Sequence, residues 1–317
     1  MQITGSYPEV KVFAGNSNSA LAEEIAAKMG KPLGKSEVST FSDGEISVKV
    51  DETVRGRDVY IIQSTCEPVN NNLMELLILI DAMKRASAGR INAVVPYYGY
   101  ARQDRKARAR DPITAKLVAN LISAAGADRV VTMDLHAAQI QGYFDIPVDH
   151  LLGLPVLAKY FKKKKLSDLI IVSPDHGSVT RTRNMAQKLD VPIAIIDKRR
   201  QKANESEIMN VIGDIAGKNC ILVDDMIDTA GTITNAANKL SEMGAKDVYA
   251  CATHGVLSGD AIKNIKESAI KEMVLLNTVP ISKEKQIDKI KVLSIAPIFA
   301  EALIHIHSND SVSKMFG

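Results

Sequence analysis

Two kinds of hydrophobic pattern, one typical of strands and one typical of helices, alternate along the chain and predict an α/β protein. Short apolar runs rich in β-branched residues are typical of strands buried on both faces; they cover residues 10–14, 59–63, 91–95, 129–133, 169–172 and 220–223. Between them, apolar residues recur every three to four positions, as in amphipathic helices; these stretches cover residues 20–29, 70–86, 154–161, 233–243 and 298–306. Because strands and helices alternate, the pattern predicts mostly parallel sheets flanked by helices.

The predicted strand at 220–223 ends in two acids, Asp224 and Asp225, and leads through a small-residue loop, 228–232, into a helical pattern. Small residues let several backbone N–H groups point into one hollow, and a helix N-terminus adds its positive end. Such a hollow binds a phosphate. The two acids accept hydrogen bonds from sugar hydroxyls or hold a metal. No Gly-Lys-Ser/Thr follows, so this is not a Walker loop, and a solvated surface turn is the alternative.

Polar residues also follow other predicted strands. After 91–95 comes a basic run that contains Arg102, Arg105, Lys106, Arg108 and Arg110, offset only by Asp104 and Asp111. Arginines at a strand end form bidentate phosphate clamps, whereas a solvated basic loop is the alternative. His136 lies just beyond 129–133, and Asp175 just beyond 169–172. Residues 41–50 predict a hairpin or a strand entered by a turn. Phe41 would offer a face to a flat base there and Asp43 and Glu45 would accept its amine, whereas a purely structural turn is the alternative.

Composition and charge limit the possible domain number, partners and cellular compartment. The chain has 317 residues, which favours two domains, and its net charge of +3 is too small to indicate a nucleic-acid partner. The longest apolar run, at 76–80, is too short to span a bilayer, and the first residues lack the pattern of a signal peptide. Three widely spaced cysteines are typical of buried thiols in a reducing compartment. We therefore expect a cytoplasmic protein with no membrane partner.

The two halves look alike, which suggests duplication. Pro96 precedes Asp134 by 38 residues, and Pro174 precedes Asp225 by 51, so the second half has 13 extra residues. Most of them fall in the polar, basic stretch 197–207, which we expect to form a mobile lid. We predict domains at 1–150 and 151–300, with a tail at 301–317 docked on the N-terminal domain.

The stretch from Val223 to Thr232 resembles the phosphoribosyl pyrophosphate-binding loop of type I phosphoribosyltransferases. Within that superfamily, essentially the whole chain resembles the ribose-phosphate pyrophosphokinases, motif by motif and in order. The resemblance implies two phosphoribosyltransferase-like domains, each a central, mostly parallel sheet flanked by helices. It also implies transfer of the β,γ-pyrophosphoryl group of ATP to ribose 5-phosphate, with Mg²⁺ as cofactor, in nucleotide biosynthesis.

The resemblance assigns residues to each function. Ribose 5-phosphate is expected at Asp224, Asp225, Asp228, Thr229, Ala230, Gly231 and Thr232. ATP is expected at Phe41, Asp43, Glu45, Arg102, Gln103, Asp104 and Arg110, where Phe41, Asp43 and Glu45 reach a neighbouring subunit's site. Magnesium is expected at His136 and Asp175, and the catalytic residues are Lys198 and Arg200. A regulatory site for phosphate or ADP is expected at Thr53, Arg55, Gln141, Asp149, Ser311, Ser313 and Phe316, in a homo-oligomer that the family implies is a hexamer.

Three alternatives remain open at this point. An ordinary phosphoribosyltransferase shares the 224–232 loop but needs neither the arginine clamp nor the segment around Phe41. A non-catalytic regulatory subunit carries long insertions or disrupted catalytic loops, which this chain lacks. A nucleic-acid-binding module is disfavoured by an aromatic content of only 4%. Two departures from the family pattern are Ala138 and Ser178, the latter where relatives often have a glycine.

Overall fold

The computed structural model describes residues 7–199 and 208–316 of the chain. The chain forms two units. Unit 1 comprises Met1–Leu152, Thr278–Pro280 and Ser294–Gly317, and unit 2 comprises Gly153–Asn277 and Ile281–Leu293.

The described strands and helices are numbered here in chain order. The strands are β1 (Val10–Ala14), β2 (Ser36–Thr40), β3 (Ile46–Val50), β4 (Asp58–Ile62), β5 (Arg90–Val95), β6 (Arg129–Met133), β7 (Val148–Leu151), β8 (Leu169–Ser173), β9 (Ile193–Arg199), β10 (Ile208–Ile212), β11 (Asn219–Ile227), β12 (Asp247–Gly255), β13 (Ile270–Leu276) and β14 (Ile290–Leu293). The helices are α1 (Ser19–Lys28), α2 (Val69–Arg85), α3 (Thr114–Ala125), α4 (Leu154–Lys164), α5 (Val179–Leu189), α6 (Gly231–Glu242), α7 (Ala261–Glu267) and α8 (Ala296–His307).

Unit 1 contains a five-stranded parallel sheet in the order β1-β4-β5-β6-β7. Every residue of β4 is buried, as expected for a strand that is covered on both faces. Helix α2 buries Leu73, Leu76, Ile80 and Met83, one apolar stripe at helical spacing, in the core of this unit. The carboxyl ends of β5 and β6 therefore bring the arginine-rich segment and His136 to the same edge of the sheet.

Unit 2 contains a seven-stranded sheet in the order β10-β9-β8-β11-β12-β13-β14, in which β10 is antiparallel to β9 and the other pairs are parallel. After β8 the chain first adds β9 and β10 on one side and then returns to add β11 on the other side. The order therefore reverses between β8 and β11. In open α/β sheets, ligands bind at the carboxyl ends of the strands beside such a reversal.

Two expectations about the second half need correction. The strand predicted at 220–223 continues through Ile227, and β12 pairs with it as far as Gly255. Backbone hydrogen bonds to β12 hold this end of the strand, and they do not depend on the polarity of the side chains. The polar stretch expected to form a loop from Asp197 begins as strand, since Lys198 pairs with Met209 of β10. Residues 41–45 form the turn of the β2–β3 hairpin, as one of the two sequence options predicted. The relation of the two halves by duplication stays a prediction.

A buried polar network connects α8 to the sheet of unit 1. The fully buried Asp58 carboxylate accepts hydrogen bonds from Arg90 Nε at 2.7 Å and Nη2 at 2.6 Å, and it lies 2.7 Å from His307 Nδ1. Burial alone raises the pKa of Asp58, but the hydrogen bonds from Arg90 and His307 outweigh it and hold the pKa below its ordinary value. The last helix of the chain is thereby fastened to strands from the first third of the sequence.

Within the described residues, no helix is both long and apolar enough to cross a membrane.

Candidate active site

Three acids of unit 2 lie at the carboxyl ends of β8 and β11, where the strand order reverses. Asp175 follows β8, while Asp224 and Asp225 occupy the last part of β11. The Asp224 Oδ1 atom accepts a hydrogen bond from the Ser178 hydroxyl at 2.9 Å and from the backbone N–H of Asp225 at 2.9 Å. Asp175 Oδ1 accepts one from the backbone N–H of Ser178 at 3.0 Å. The geometry thus joins one predicted metal residue and two predicted sugar-binding residues in a single cluster.

The cluster carries more negative than positive charge. Burial, followed by the negative charge of Asp225, raises the pKa of Asp224 to about 7. Arg181 of α5 lies nearby, with Nη1 3.7 Å from Asp225 Oδ1. A group that brings hydrogen-bond donors or positive charge would relieve this repulsion. The site therefore suits sugar hydroxyls and a cation, in keeping with the chemistry expected from the sequence.

The loop after β11 leads directly into α6. Ala230 is the residue before the helix, has the left-handed conformation with φ of 63°, and makes no side-chain hydrogen bond to the first turn. Thr232 is exposed in that first turn, next to Gly231. The first N–H groups of a helix lack partners within the helix, and its dipole favours negative charge there. A loop whose helix start is uncapped by a side chain is suited to bind phosphate through backbone amides.

Two residues that the sequence analysis missed support this loop from the side. The Ser258 hydroxyl donates to Asp228 Oδ1, and the Ser258 backbone N–H donates to the Asp228 carbonyl at 3.0 Å. Asn264 Nδ2 donates to the Thr229 carbonyl at 2.9 Å. Ser258 lies just after β12, which is the parallel neighbour of β11. Polar residues after that strand were the available signal, because parallel neighbours end at the same edge of the sheet.

The residues expected at a magnesium site fit the ion unequally. The Asp175 carboxylate provides the hard oxygen ligands that Mg²⁺ prefers, whereas the His136 imidazole is a poor direct ligand for that ion. Asp175 belongs to unit 2 and His136, which is exposed, to unit 1. Among the described residues there is no group of three or more His, Cys, Asp or Glu side chains that could hold a metal by themselves. Of the two expected residues, Asp175 therefore fits a Mg²⁺ ion better than His136 does.

The residues expected to bind ATP lie in unit 1, after β5 and in the β2–β3 hairpin. Arg102, Gln103 and Arg110 are exposed, and the first two line a cavity of about 360 Å³ together with Tyr97 and Tyr100. Asp104 differs from these, because it is only 7% exposed. Its Oδ2 accepts a hydrogen bond from Gln139 Nε2 at 2.7 Å. We infer that Asp104 shapes the loop, while the exposed arginines face solvent.

The hairpin turn presents Phe41 to solvent, with 58% of its surface exposed. The Phe41 N–H donates to the Glu45 carbonyl at 2.7 Å, and Asp43 Oδ1 accepts from the Glu45 N–H at 3.1 Å. Gly44 has a φ of 97°, which a residue with a side chain rarely adopts. The turn is therefore held by its own hydrogen bonds, with the aromatic ring outside any core of the described residues.

Lys198 and the residues of the expected regulatory site lie in different units. Lys198 lies in β9, and Arg200 lies outside the described residues. All seven residues of the expected regulatory site belong to unit 1: Thr53, Arg55, Gln141, Asp149, Ser311, Ser313 and Phe316. Ser311 and Ser313 are exposed in the tail, with their hydroxyl oxygens 2.7 Å apart, whereas Asp149 forms an ion pair with Arg129.

Comparisons with known proteins agree with this arrangement. Residues 10–126 match the family model described as the N-terminal domain of ribose phosphate pyrophosphokinase, and residues 202–317 match the phosphoribosyl synthetase-associated domain. The ribose-phosphate pyrophosphokinase of Caldanaerobacter subterraneus subsp. tengcongensis is 69% identical over 308 residues, which cover 97% of this chain and 98% of the relative. The enzyme of the same name from Clostridium perfringens is 68% identical over 310 residues, covering 97% of each chain.

A solved structure shares the same fold. The crystal structure of phosphoribosylpyrophosphate synthetase from Mycobacterium smegmatis superposes with a TM-score of 0.90 and 46% identity, covering 94% of this chain and 98% of that chain. The predicted fold class, an α/β protein with two parallel-sheet domains flanked by helices, is confirmed. On this evidence the chain belongs to the ribose-phosphate pyrophosphokinase family.

Proposed function

We propose that this enzyme transfers the β,γ-pyrophosphoryl group of ATP to the anomeric hydroxyl of ribose 5-phosphate. The products are 5-phosphoribosyl 1-pyrophosphate and AMP. The observation that carries the proposal is the cluster in unit 2, where Asp224 and Asp225 lie beside a phosphate-type loop whose helix start lacks a side-chain cap. A sugar phosphate needs both features, since its hydroxyls donate hydrogen bonds and its phosphate accepts them.

The sugar-binding half of the reaction falls to unit 2. In the proposal the loop of Asp228, Thr229, Ala230, Gly231 and Thr232 binds the 5-phosphate through backbone amides and threonine hydroxyls. Asp224 and Asp225 accept hydrogen bonds from the ribose hydroxyls and hold the anomeric oxygen in line with the β-phosphorus of ATP. Phosphoryl transfer depends mostly on such positioning and on electrostatic stabilisation, so no covalent nucleophile is needed.

The nucleotide half is assigned to unit 1. Arg102, Gln103 and Arg110 would bind the polyphosphate, and Phe41 would stack on the adenine ring, with Asp43 and Glu45 accepting its amine. Exposure of the arginines and of the Phe41 ring supports this assignment. Asp104 would act indirectly by holding the loop. The exposure of the Phe41 ring at the tip of the hairpin supports its proposed place in a neighbouring subunit's site, and with it a homo-oligomer, for which we propose a hexamer.

Charge neutralisation completes the proposed mechanism. Asp175 would serve a Mg²⁺ site as a direct ligand and His136 would serve one through water, and Mg²⁺ would spread the charge of the polyphosphate. Lys198 and Arg200 would stabilise the charge that develops on the transferring group. By this assignment residues 1–150 supply ATP binding and oligomer contacts, residues 151–300 supply sugar binding and catalysis, and the tail 301–317 serves regulation.

The regulatory site is proposed for phosphate or ADP. Its members are the seven unit 1 residues from Thr53 to Phe316 described above, with the Ser311 and Ser313 hydroxyls as donors to an anion. We also place the enzyme in the cytoplasm, because the three cysteines are free and buried, as is usual in a reducing compartment.

A coupled assay of AMP formation tests the proposal. The purified enzyme is incubated with ATP, Mg²⁺ and inorganic phosphate, with and without ribose 5-phosphate. AMP that depends on the sugar, together with phosphoribosyl pyrophosphate, is the expected result. If ATP binds but no AMP forms at any phosphate concentration, the chain is a regulatory subunit and the proposal is wrong. If ATP does not bind at all, an ordinary phosphoribosyltransferase becomes the better interpretation.

A further inference from the structure

Ser178 combines features that point beyond a structural role. It precedes helix α5, where a serine hydroxyl normally accepts a hydrogen bond from the first turn, yet its side chain makes no such cap. Instead, the hydroxyl donates to Asp224 Oδ1 at 2.9 Å across the point where the strand order reverses. The residue is only 4% exposed. Because the buried Ser178 hydroxyl bonds to the Asp224 carboxylate and does not cap α5, we expect it to affect Asp224.

The backbone of the same residue is tied to the other acid. The Ser178 N–H donates to Asp175 Oδ1 at 3.0 Å, so one residue connects the carboxylates that follow β8 and that end β11. One turn further along α5, Arg181 approaches Asp225. The start of α5 therefore contacts all three acids of the cluster, and any shift of this helix start would move them together.

Two hydrogen bonds to Asp224 end on the same oxygen. Oδ1 accepts from the Ser178 hydroxyl and from the Asp225 N–H, each at 2.9 Å. Two donors on one oxygen restrict the rotation of the carboxylate. Groups that are held in place by neighbouring hydrogen bonds bind with less loss of conformational freedom.

We propose that Ser178 is a positioning residue for the pyrophosphoryl transfer, and that its hydroxyl holds Asp224 in the orientation that receives the ribose hydroxyls. The proposal rests on the function proposed above, in which Asp224 binds the sugar. Ser178 itself contacts no substrate. Its effect is therefore on the affinity for ribose 5-phosphate and not on the affinity for ATP.

Ser178→Ala and Ser178→Gly test this, with equilibrium binding of ribose 5-phosphate measured by calorimetry without ATP. Loss of a hydrogen bond to a charged group typically weakens an interaction by about tenfold. We expect the Kd and the KM for ribose 5-phosphate to rise roughly 5- to 20-fold, with kcat and the KM for ATP changed less than about twofold. An unchanged Kd in both variants would overturn the proposal.

Ser268→Ala is the matched control. Ser268 is 7% exposed in the same unit, and its hydroxyl donates to the Ile265 carbonyl at 2.9 Å. A general loss of stability would affect both serine variants alike, whereas the proposal predicts that Ser268→Ala keeps the wild-type affinity for ribose 5-phosphate. Equal weakening in the two variants would count against a positioning role.

A double-mutant cycle separates this inference from the proposed function. Asp224→Ala removes the acceptor, so adding Ser178→Ala to it should change the Kd less than about twofold. If Asp224→Ala weakens the binding of ribose 5-phosphate but Ser178→Ala does not, only the positioning role is wrong. If Asp224→Ala leaves binding unchanged, the assignment of the sugar site itself is wrong.

Discussion

Asp224→Asn should make the folded enzyme more stable at alkaline pH while it weakens sugar binding. A raised pKa means that the folded chain holds the Asp224 proton more tightly than the unfolded chain does. Stability therefore falls as pH rises from the ordinary pKa of 3.8 to about 7, and the full penalty is present above that range. Asparagine has the same shape, and its Oδ1 accepts from the Ser178 hydroxyl and the Asp225 N–H without any charge.

The size of the gain follows from the pKa. The difference between 3.8 and about 7 converts, at about 1.4 kcal/mol per pKa unit, to an upper bound of about 4 kcal/mol. Asp224 keeps partial exposure, and solvent weakens the repulsion from Asp225. We expect Asp224→Asn to raise the free energy of unfolding by about 1–3 kcal/mol at pH 8, and by much less near pH 4.5.

Urea denaturation of the metal-free enzyme at the two pH values measures this. Glu284→Gln, which removes an exposed acid of unit 2, is the control and should give no pH-dependent gain. A parallel activity assay should show the KM for ribose 5-phosphate raised by roughly 10- to 100-fold, as for the loss of hydrogen bonds to a charged group. If Asp224→Asn were no more stable at pH 8, or equally stabilised at pH 4.5, the repulsion inferred from the structure would be refuted.

Three further substitutions test other parts of the enzyme. Lys198→Ala should raise the activation free energy by about 3–4 kcal/mol and so lower kcat, with little change in substrate binding. An unchanged kcat would contradict the catalytic role of Lys198. Asp225→Ala should weaken ribose 5-phosphate binding in saturation kinetics, and unaltered saturation would exclude Asp225 from the sugar site. Asp58→Asn should cost about 3–5 kcal/mol of unfolding free energy in urea, because it leaves the Arg90 charge buried without its partner. The lowered pKa keeps Asp58 ionised at neutral pH, and the loss should be absent in Glu301→Gln, an exposed change on α8.

The apolar periods predicted β1, β4, β5, β6, β8 and β11, since a strand buried on both faces has few alternatives, but they left β7, β9, β10, β12, β13 and β14 unassigned. The hydrophobic pattern did not predict where β11 ends. Asp224 and Asp225 resemble loop residues by polarity, but backbone pairing with β12 keeps them in the strand. The same limit applies to β9, whose polar end at Lys198 is held by β10. Backbone hydrogen bonds between neighbouring strands do not affect the hydrophobic pattern, so that pattern cannot predict them.

The site was predictable where its parts are close in sequence, and less so where they come from different strands. The phosphate-type loop and the acids beside it form one continuous motif. Ser258, which supports Asp228, is 30 residues away in sequence and looks like an ordinary turn residue. Ser178 is a typical helix cap by its position, and only the structure shows that its hydroxyl goes to Asp224.

The docking of α8 also determines when each unit can fold during synthesis. Unit 2 ends at Leu293, so every strand of its sheet is synthesised before α8. Unit 1 lacks its last helix until then, although it holds the N-terminal strands. Asp58 and Arg90 can form their contacts with His307 and the Ile306 carbonyl only after α8 has been synthesised. On the ribosome, the unit that is begun first is therefore the one completed last.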